Sequence, residues 1–223
     1  MAKNENVSIS VIRRLPRYYR FLSELMRQGR DHISSRELAN VMGLTASQIR
    51  QDLNCFGGFG QQGYGYRVES LFQEVARILG LDQPLSAVLI GTGNLGRTLA
   101  LHIDFETKGF RLTGLFDNNP AVIGTHIGGM KVMGMDELES FCRREKPSVA
   151  VLCIPKEAAV MVSELLISLG IRGFWNFSHY DLAIEHEDIV VENVHMGDSL
   201  MTLSYLVHDS MESAPVSVKG KKE

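Results

Sequence analysis

Residues 87–96 read Ala-Val-Leu-Ile-Gly-Thr-Gly-Asn-Leu-Gly, and the fold turns on this stretch. The four apolar residues 87–90 predict a buried parallel strand. The strand runs into Gly91, Gly93 and Gly96, the G-x-G-x-x-G spacing, with Thr92, Asn94 and Leu95 between them, and then into a helical stretch at 97–105. A strand, a glycine turn and a helix in that order place backbone N–H groups and a positive helix end where a pyrophosphate can sit. Gly91 permits the tight turn, Gly93 lets the phosphate approach, and Gly96 lets the helix pack on the strand. A second apolar strand, 110–116, ends in Asp117, 21 residues beyond Gly96. An acid there accepts hydrogen bonds from the ribose hydroxyls of NAD and repels the 2′-phosphate of NADP. It also suits the cap of the loop Asn118-Asn119-Pro120. Strand, glycines, helix, strand and acid together make NAD the preferred ligand.

The rest of the composition fits a water-soluble globular chain. Of 223 residues, 44% are apolar and 22% charged, enough for a real core in one or two domains. No apolar run reaches the length of a membrane span, and the start lacks the apolar core of a signal peptide. Cys55, Cys142 and Cys153 are odd in number and far apart, which predicts reduced thiols in a cytoplasmic protein, with no disulfide frame and no metal site. The net charge of −3 hides an asymmetry: residues 1–80 hold 11 Lys/Arg against 7 Asp/Glu, and the remainder 12 against 19. A basic first third and an acidic remainder suggest two modules, the basic one facing a polyanion.

In that first third, Leu15, Tyr18 or Tyr19, Leu22, Leu25 and Met26 recur at helical spacing. Pro16 begins this helix or kinks one that starts earlier, and Gly29 ends it. Arg13, Arg14, Arg17 and Arg20 cluster near its start, as phosphate contacts or as a solvated face. Two capping boxes follow, Ser34 to Glu37 and Thr45 to Gln48, each ahead of an apolar run, with Met42-Gly43-Leu44 between them. Two short helices about a glycine turn make a helix-turn-helix, over about residues 18–57. The second helix turns Ile49, Leu53 and Phe56 inward and leaves Ser47, Gln48, Arg50, Gln51 and Asn54 outside. Gln and Asn match adenine and Arg matches guanine in the major groove. Glycines then alternate with aromatics to Tyr66, which predicts a hairpin with Gln61-Gln62-Gly63 at its tip and Tyr64, Tyr66 and Val68 on one strand. A hairpin after a recognition helix is the wing of a winged helix. A helix at 70–79 completes a DNA-binding domain over 1–81, and Asp82-Gln-Pro84 is the hinge.

After Asp117 the alternation continues: strands at 131–133, 149–154, 172–176 and 189–194, helices at 136–145 and 157–169. This predicts a Rossmann-like, doubly wound parallel sheet over 85–197, so the fold class is α/β. Ligands in such sheets bind beyond the strands' carboxyl ends, which nominates Ile154, Pro155 and Asn176 as neighbours of a nicotinamide. Residues 198–212 form a helix whose apolar positions (Leu200, Met201, Leu203, Tyr205, Leu206, Val207) spread around its circumference. Such a helix needs a partner subunit to cover it. Residues 213–223 read as a flexible tail.

This succession resembles the redox-sensing transcriptional repressors of the Rex family. The resemblance covers nearly the whole chain. It rests on Arg14-Leu-Pro-Arg-Tyr-Tyr-Arg20, Ile33-Ser-Ser-Arg-Glu-Leu38, the run at 45–53, Phe59-Gly-Gln-Gln-Gly-Tyr-Gly-Tyr66, the glycine motif, Phe116-Asp117, Ile154-Pro155 and Gly173-Phe-Trp-Asn-Phe177. It implies a homodimer with domain-swapped terminal helices that binds double-stranded inverted-repeat operator DNA. It also implies that NADH releases the DNA while NAD competes for the same site, both as sensed ligands. Arg14, Arg17, Gln61 and Gln62 join the outward residues of the second helix as the DNA-facing set. Within the resemblance, some positions differ. The recognition helix ends Asp52-Leu-Asn-Cys55, where Ser-Tyr is common; Gln51 replaces a frequent Lys, and the wing tip Gln61-Gln62 replaces basic residues. His102 stands where many members have a Tyr that contacts the partner's nicotinamide pocket. His195 and Met196 replace a common Asp-Phe pair, whose Asp pairs in those members with the Arg matching Arg20.

The rival class is an enzyme, a small NAD-dependent dehydrogenase. Too little chain remains for a catalytic domain, and only His179, near a strand end, suggests itself as a base.

Overall fold

Helix α1 (Ile9–Arg27) runs straight through Pro16, so the proline lies inside a helix that has already begun. The proline ring removes one N–H, but Val11 and Leu15 are buried on the same stripe as Tyr18 and Leu22. Packing of that stripe holds the early turns in place. The computed structural model describes residues 7–57 and 65–212. The chain divides into two units, 1–84 with 104–111, and 85–103 with 112–223.

The first unit continues with strand β1 (His32–Ile33), α2 (Ser35–Met42), α3 (Ala46–Asn54), β2 (Tyr66–Arg67) and α4 (Val68–Ile78). Ser34 starts α2 with a complete capping box: its Oγ accepts from the Glu37 N–H at 3.1 Å, and Glu37 Oε2 accepts from the Ser34 N–H at 2.8 Å. The main-chain and side-chain bonds from Ser34, with the Arg30 guanidinium, pull the Glu37 carboxyl down to about 2. Thr45 caps α3 by accepting from the Gln48 N–H at 3.1 Å, but only this half of the expected second box forms. Gly43 joins the two helices in the left-handed region, at φ 62°.

β1 and β2 pair antiparallel, Ile33 opposite Tyr66. Gly65 makes this pairing possible: at φ +76° a β-carbon would stand 2.5 Å from the Ile33 carbonyl oxygen. The strand expected to run on to Val68 ends at Arg67: Val68 still donates its N–H to the Asp31 carbonyl, the next pair of the ladder, but is already the first residue of α4. The hairpin tip with Gln61, Gln62 and Tyr64, and the tail 213–223, lie outside the described residues. Leu15, Tyr18, Leu22, Leu38, Met42, Ile49, Leu53, Leu71 and Val75 form one core under the three N-terminal helices and α4.

The second unit is a seven-stranded sheet in the order β5-β6-β4-β3-β7-β8-β9. Its strands are β3 (Leu85–Ile90), β4 (Phe110–Asp117), β5 (His126–Ile127), β6 (Met130–Gly134), β7 (Val149–Leu152), β8 (Gly173–Asn176) and β9 (Val190–Asn193). β6 pairs parallel with β4, and β7 with β3 and β8, while β9 runs parallel to β8. The α/β fold class is therefore as the pattern predicts. The antiparallel β5 closes one edge through Gly128 and Gly129, at φ 58° and 82°, the left-handed pair that a two-residue hairpin demands.

Helices α5 (Asn94–His102), α6 (Leu138–Glu145), α7 (Lys156–Ser168), α8 (Leu182–Glu185) and α9 (Met196–Glu212) complete the chain. α5 starts three residues earlier than the expected Arg97, because the Arg97 N–H already bonds the Gly93 carbonyl at 2.9 Å. The central strands bury Val88, Ile90, Phe116, Ala150, Leu152 and Phe174 in one core. α9 has no buried residue, although Leu200, Met201 and Tyr205 are large and apolar.

Candidate functional site

The strand order reverses between β3 and β7: from β3 the chain goes to β4 on one side, and later to β7 on the other. In doubly wound sheets this reversal leaves a crevice beyond the strands' carboxyl ends. Two turns meet there. The Gly91 N–H bonds the Phe116 carbonyl at 2.8 Å, and the Cys153 N–H bonds the Ile90 carbonyl at 2.8 Å. Gly91 sits at φ +92°, where a β-carbon would lie 2.5 Å from the Cys153 oxygen and 2.7 Å from the Ile154 side chain. Gly91, Cys153 and Ile154 thus form one tight floor. Burial pushes the Cys153 thiol up to about 12, so it stays protonated. Pro155 caps α7 beside them.

Gly93 and Gly96 play opposite parts. A β-carbon on Gly93 would meet nothing within 4 Å, whereas one on Gly96 would lie 1.9 Å from the Gly91 carbonyl oxygen. Gly96 lets α5 reach β3, and Gly93 faces open space. No side chain caps α5, so the N–H groups of its first turn, from Asn94 to Gly96, stay available to an anion. This cradle fits the pyrophosphate of a dinucleotide.

Asp117, at the end of β4, is already tied into the same turn. Its Oδ2 accepts from the Thr92 N–H at 2.6 Å and the Thr92 hydroxyl at 2.8 Å, and its Oδ1 from the Asn119 N–H at 2.9 Å. Burial pushes this carboxyl upward, but the bonds from Asn119 and Thr92 outweigh burial and leave it below the ordinary range. A carboxylate offers about four acceptor positions, and a fourth donor, the Asn118 N–H, also faces this one. The loop therefore engages Asp117 fully, and a ribose hydroxyl bonds it by sharing an oxygen or by displacing one of these donors.

Asn176 is placed differently from the sequence expectation. It is fully buried. Its amide donates to the Tyr180 carbonyl and to Asn193 Oδ1, both at 2.8 Å, and its oxygen accepts from the Ser178 N–H and hydroxyl. With both donors and both lone pairs engaged, Asn176 holds the turn after β8 against β9 and has nothing left for a ligand. His102, at the last position of α5, is exposed. His179 stacks on His195, ring centroids 5.5 Å apart.

On the first unit, Ser47, Arg50, Gln51 and Asn54 are exposed along α3 and Gln48 is half-buried. With Cys55, four of them line a shallow concavity of about 520 Å³. The Arg50 guanidinium donates to the Ser35 hydroxyl at 3.1 Å. On α1, the exposed Arg17 lies over the Phe21 ring at 5.7 Å. Arg14, expected among the phosphate-facing arginines, is turned inward onto Asp52 at 2.7 Å. No signal at a 38-residue separation announces that pair.

Helix-turn-helix and Rossmann-type sheet in one chain define a class, nucleotide-fold proteins carrying a DNA-binding head. Comparisons narrow it. Residues 6–54 match the family described as "Putative DNA-binding protein N-terminus", and residues 82–180 match "CoA binding domain". A redox-sensing transcriptional repressor Rex of Clostridium botulinum (strain Eklund 17B / Type B) is 50% identical over 93% of this chain and 99% of its own. The Rex of Clostridioides difficile (strain 630) is 50% identical over 94% and 99%. The crystal structure of RSP in complex with β-NAD+ and operator DNA matches with a TM-score of 0.86 at 49% identity, covering 92% of this chain and 94% of that one. RSP in complex with β-NADH matches at 0.84 and 46% identity, covering 92% and 96%. The chain belongs to the Rex family of redox-sensing transcriptional repressors.

Exchanging Asp117 for Asn is expected to weaken NADH binding by roughly tenfold to a hundredfold, since bonds to a charged group contribute about 1.5–3 kcal/mol. An amide also presents an N–H where Thr92 presents two donors. Calorimetry with NADH and NADPH checks both the loss and the narrowed preference between them. The pH dependence has a definite sign. The folded carboxyl lies below its unfolded value of about 3.9, so the stability it adds is full above about pH 4 and fades as pH falls through the folded value.

Proposed function

We propose that this chain is a transcriptional repressor that binds operator DNA as a homodimer and is released when NADH occupies its sheet unit. NAD competes for the same crevice and favours the DNA-bound form; neither is turned over, and the protein works in the cytoplasm. The observation that carries the reading is the uncapped glycine cradle with Asp117 beside it, in a chain whose other unit turns Gln, Arg and Asn outward from a helix-turn-helix.

In this reading the N–H groups of residues 94–96 hold the pyrophosphate, Asp117 takes a ribose hydroxyl, and Ile154 and Pro155 wall the nicotinamide end. Asn176 supports that wall from beneath. His102 reaches towards the partner's pocket. The ligand supplies only its shape and charge difference between oxidation states; the chain supplies the response. Ser47, Gln48, Arg50, Gln51 and Asn54 read bases, while Arg17 and the wing tip Gln61-Gln62 approach the backbone. Residues 1–81 form the DNA-binding domain, 85–197 the dinucleotide domain, and α9 is exchanged between subunits.

A two-fold operator requires recognition helices roughly 34–36 Å apart. The dimer therefore has two states, one with that spacing and one without, and it releases DNA in proportion to the second state's preference for NADH. Linkage makes the coupling reciprocal. Operator affinity is expected to fall with NADH, and NADH affinity to fall by the same factor with operator. Fluorescence polarisation with an inverted-repeat duplex, titrated against NADH at fixed NAD, measures both. Equal operator affinity with and without saturating NADH sinks the sensor reading, and a larger response to CoA or NADPH reassigns the ligand.

A further inference from the structure

Helix α3 carries a carboxylate on the face where its neighbours are apolar. Asp52 shares that face with Ile49 and Leu53, and all three are buried; Asp52 is only 2% exposed. Three hydrogen bonds converge on it from α1. Arg14 Nε donates to Oδ2 and Nη2 to Oδ1, each at 2.7 Å, and the Tyr18 hydroxyl donates to Oδ2 at 3.0 Å. Tyr18 is itself fully buried, one helical turn beyond Arg14.

Such a cluster adds little net stability, because stripping water from a buried pair offsets most of its attraction. What it adds is direction. Contacts through Ile49 and Leu53 are non-directional and tolerate some roll of α3 about its axis. A planar guanidinium gripping both oxygens does not. Side-chain tips stand roughly 6 Å from a helix axis, so a roll of about 20° displaces them by about 2 Å. That exceeds the roughly 0.5 Å window of a hydrogen bond to a base edge. The same α1 carries the exposed Arg17, three residues from Arg14.

We propose that Arg14, Asp52 and Tyr18 are positioning residues for base readout: they lock α3 to α1, so that a phosphate held by α1 sets the rotation at which Ser47, Gln48 and Gln51 meet the major groove. This rests on the operator-binding reading above and adds the source of its sequence specificity.

The test uses the full-length chain. The wild type first selects an inverted-repeat duplex from a random pool. Affinities for that duplex and for a scrambled one of equal length are then compared in wild type, in Arg14→Met/Tyr18→Phe/Asp52→Leu and in Arg14→Lys. The triple exchange leaves net charge unchanged, removes the Tyr18 hydroxyl that would otherwise be buried without an acceptor, and replaces a buried polar cluster by apolar groups, a change that folded proteins commonly accept. Its melting temperature, NADH affinity and scrambled-duplex affinity are expected to match the wild type. Its affinity for the selected duplex is expected to fall at least about tenfold, the effect of losing one base contact. Arg14→Lys keeps the charge but grips at one point, and should fall part of the way. If both variants discriminate as the wild type does, the cluster is an ordinary core contact and the proposal is overturned. If the wild type itself enriches no sequence, the operator-binding reading fails, a result distinct from the first.

Discussion

Replacing Gly96 with alanine is expected to abolish NADH binding and to leave the protein on its operator whatever the dinucleotide pool. The new β-carbon would lie 1.9 Å from the Gly91 carbonyl oxygen and 3.0 Å from its carbon. Both are backbone atoms of the turn, so no side-chain rotation relieves the overlap, and α5 must move off β3. Its first-turn N–H groups move with it. Losing two hydrogen bonds to a charged group, at about 1.5–3 kcal/mol each, lowers affinity by at least about a hundredfold. Gly93→Ala is the matched control, since its β-carbon meets no protein atom within 4 Å. It should fold with an unchanged melting temperature and still bind poorly, because the methyl occupies the phosphate's space. Calorimetry and thermal melts on the pair separate the two causes. A Gly96→Ala protein with wild-type affinity would remove the cradle from the account.

The second large effect concerns α9. A chain ending at His195 is expected to sediment as a monomer and to lose roughly 10²–10⁴-fold in affinity for a two-fold operator. That range is the advantage of tethering two binding heads. Affinity for an isolated half-site should not change, because the first unit keeps its own core. The expectation follows from the exposure of α9, where Met196, Leu200, Met201 and Tyr205 are each at least 60% accessible. A 17-residue helix with this surface gains nothing from standing in water. Analytical ultracentrifugation decides it: a truncated chain that remains dimeric places the interface elsewhere.

Much of this was legible in the residues because the signals were local. The glycine spacing, the acid ending the next strand and the serine cap of α2 each act within a few positions of themselves. Periodicity of 3.6 likewise predicts which face of α3 is apolar. What stayed hidden was pairing at a distance. Arg14 reads as one more surface arginine until the fold brings Asp52 to it from 38 residues away. Asn176 reads as a ligand contact at a strand end, yet its bonds to Tyr180, Ser178 and Asn193 use its whole capacity. The tie between Asp117 and Thr92 spans 25 residues. The β5–β6 hairpin was available in Gly128-Gly129 and its flanking residues, a turn signal the alternation of longer elements overshadowed.

The half-buried thiol of Cys153 bears on what kind of stress reaches the crevice. Peroxide attacks sulfur as the anion, and desolvation pushes this thiol up to about 12, so the anion is scarce near neutrality. Direct oxidation of the crevice is therefore disfavoured, which leaves the reversible exchange of electron carriers as the route by which redox change reaches it, and not damage that must be repaired.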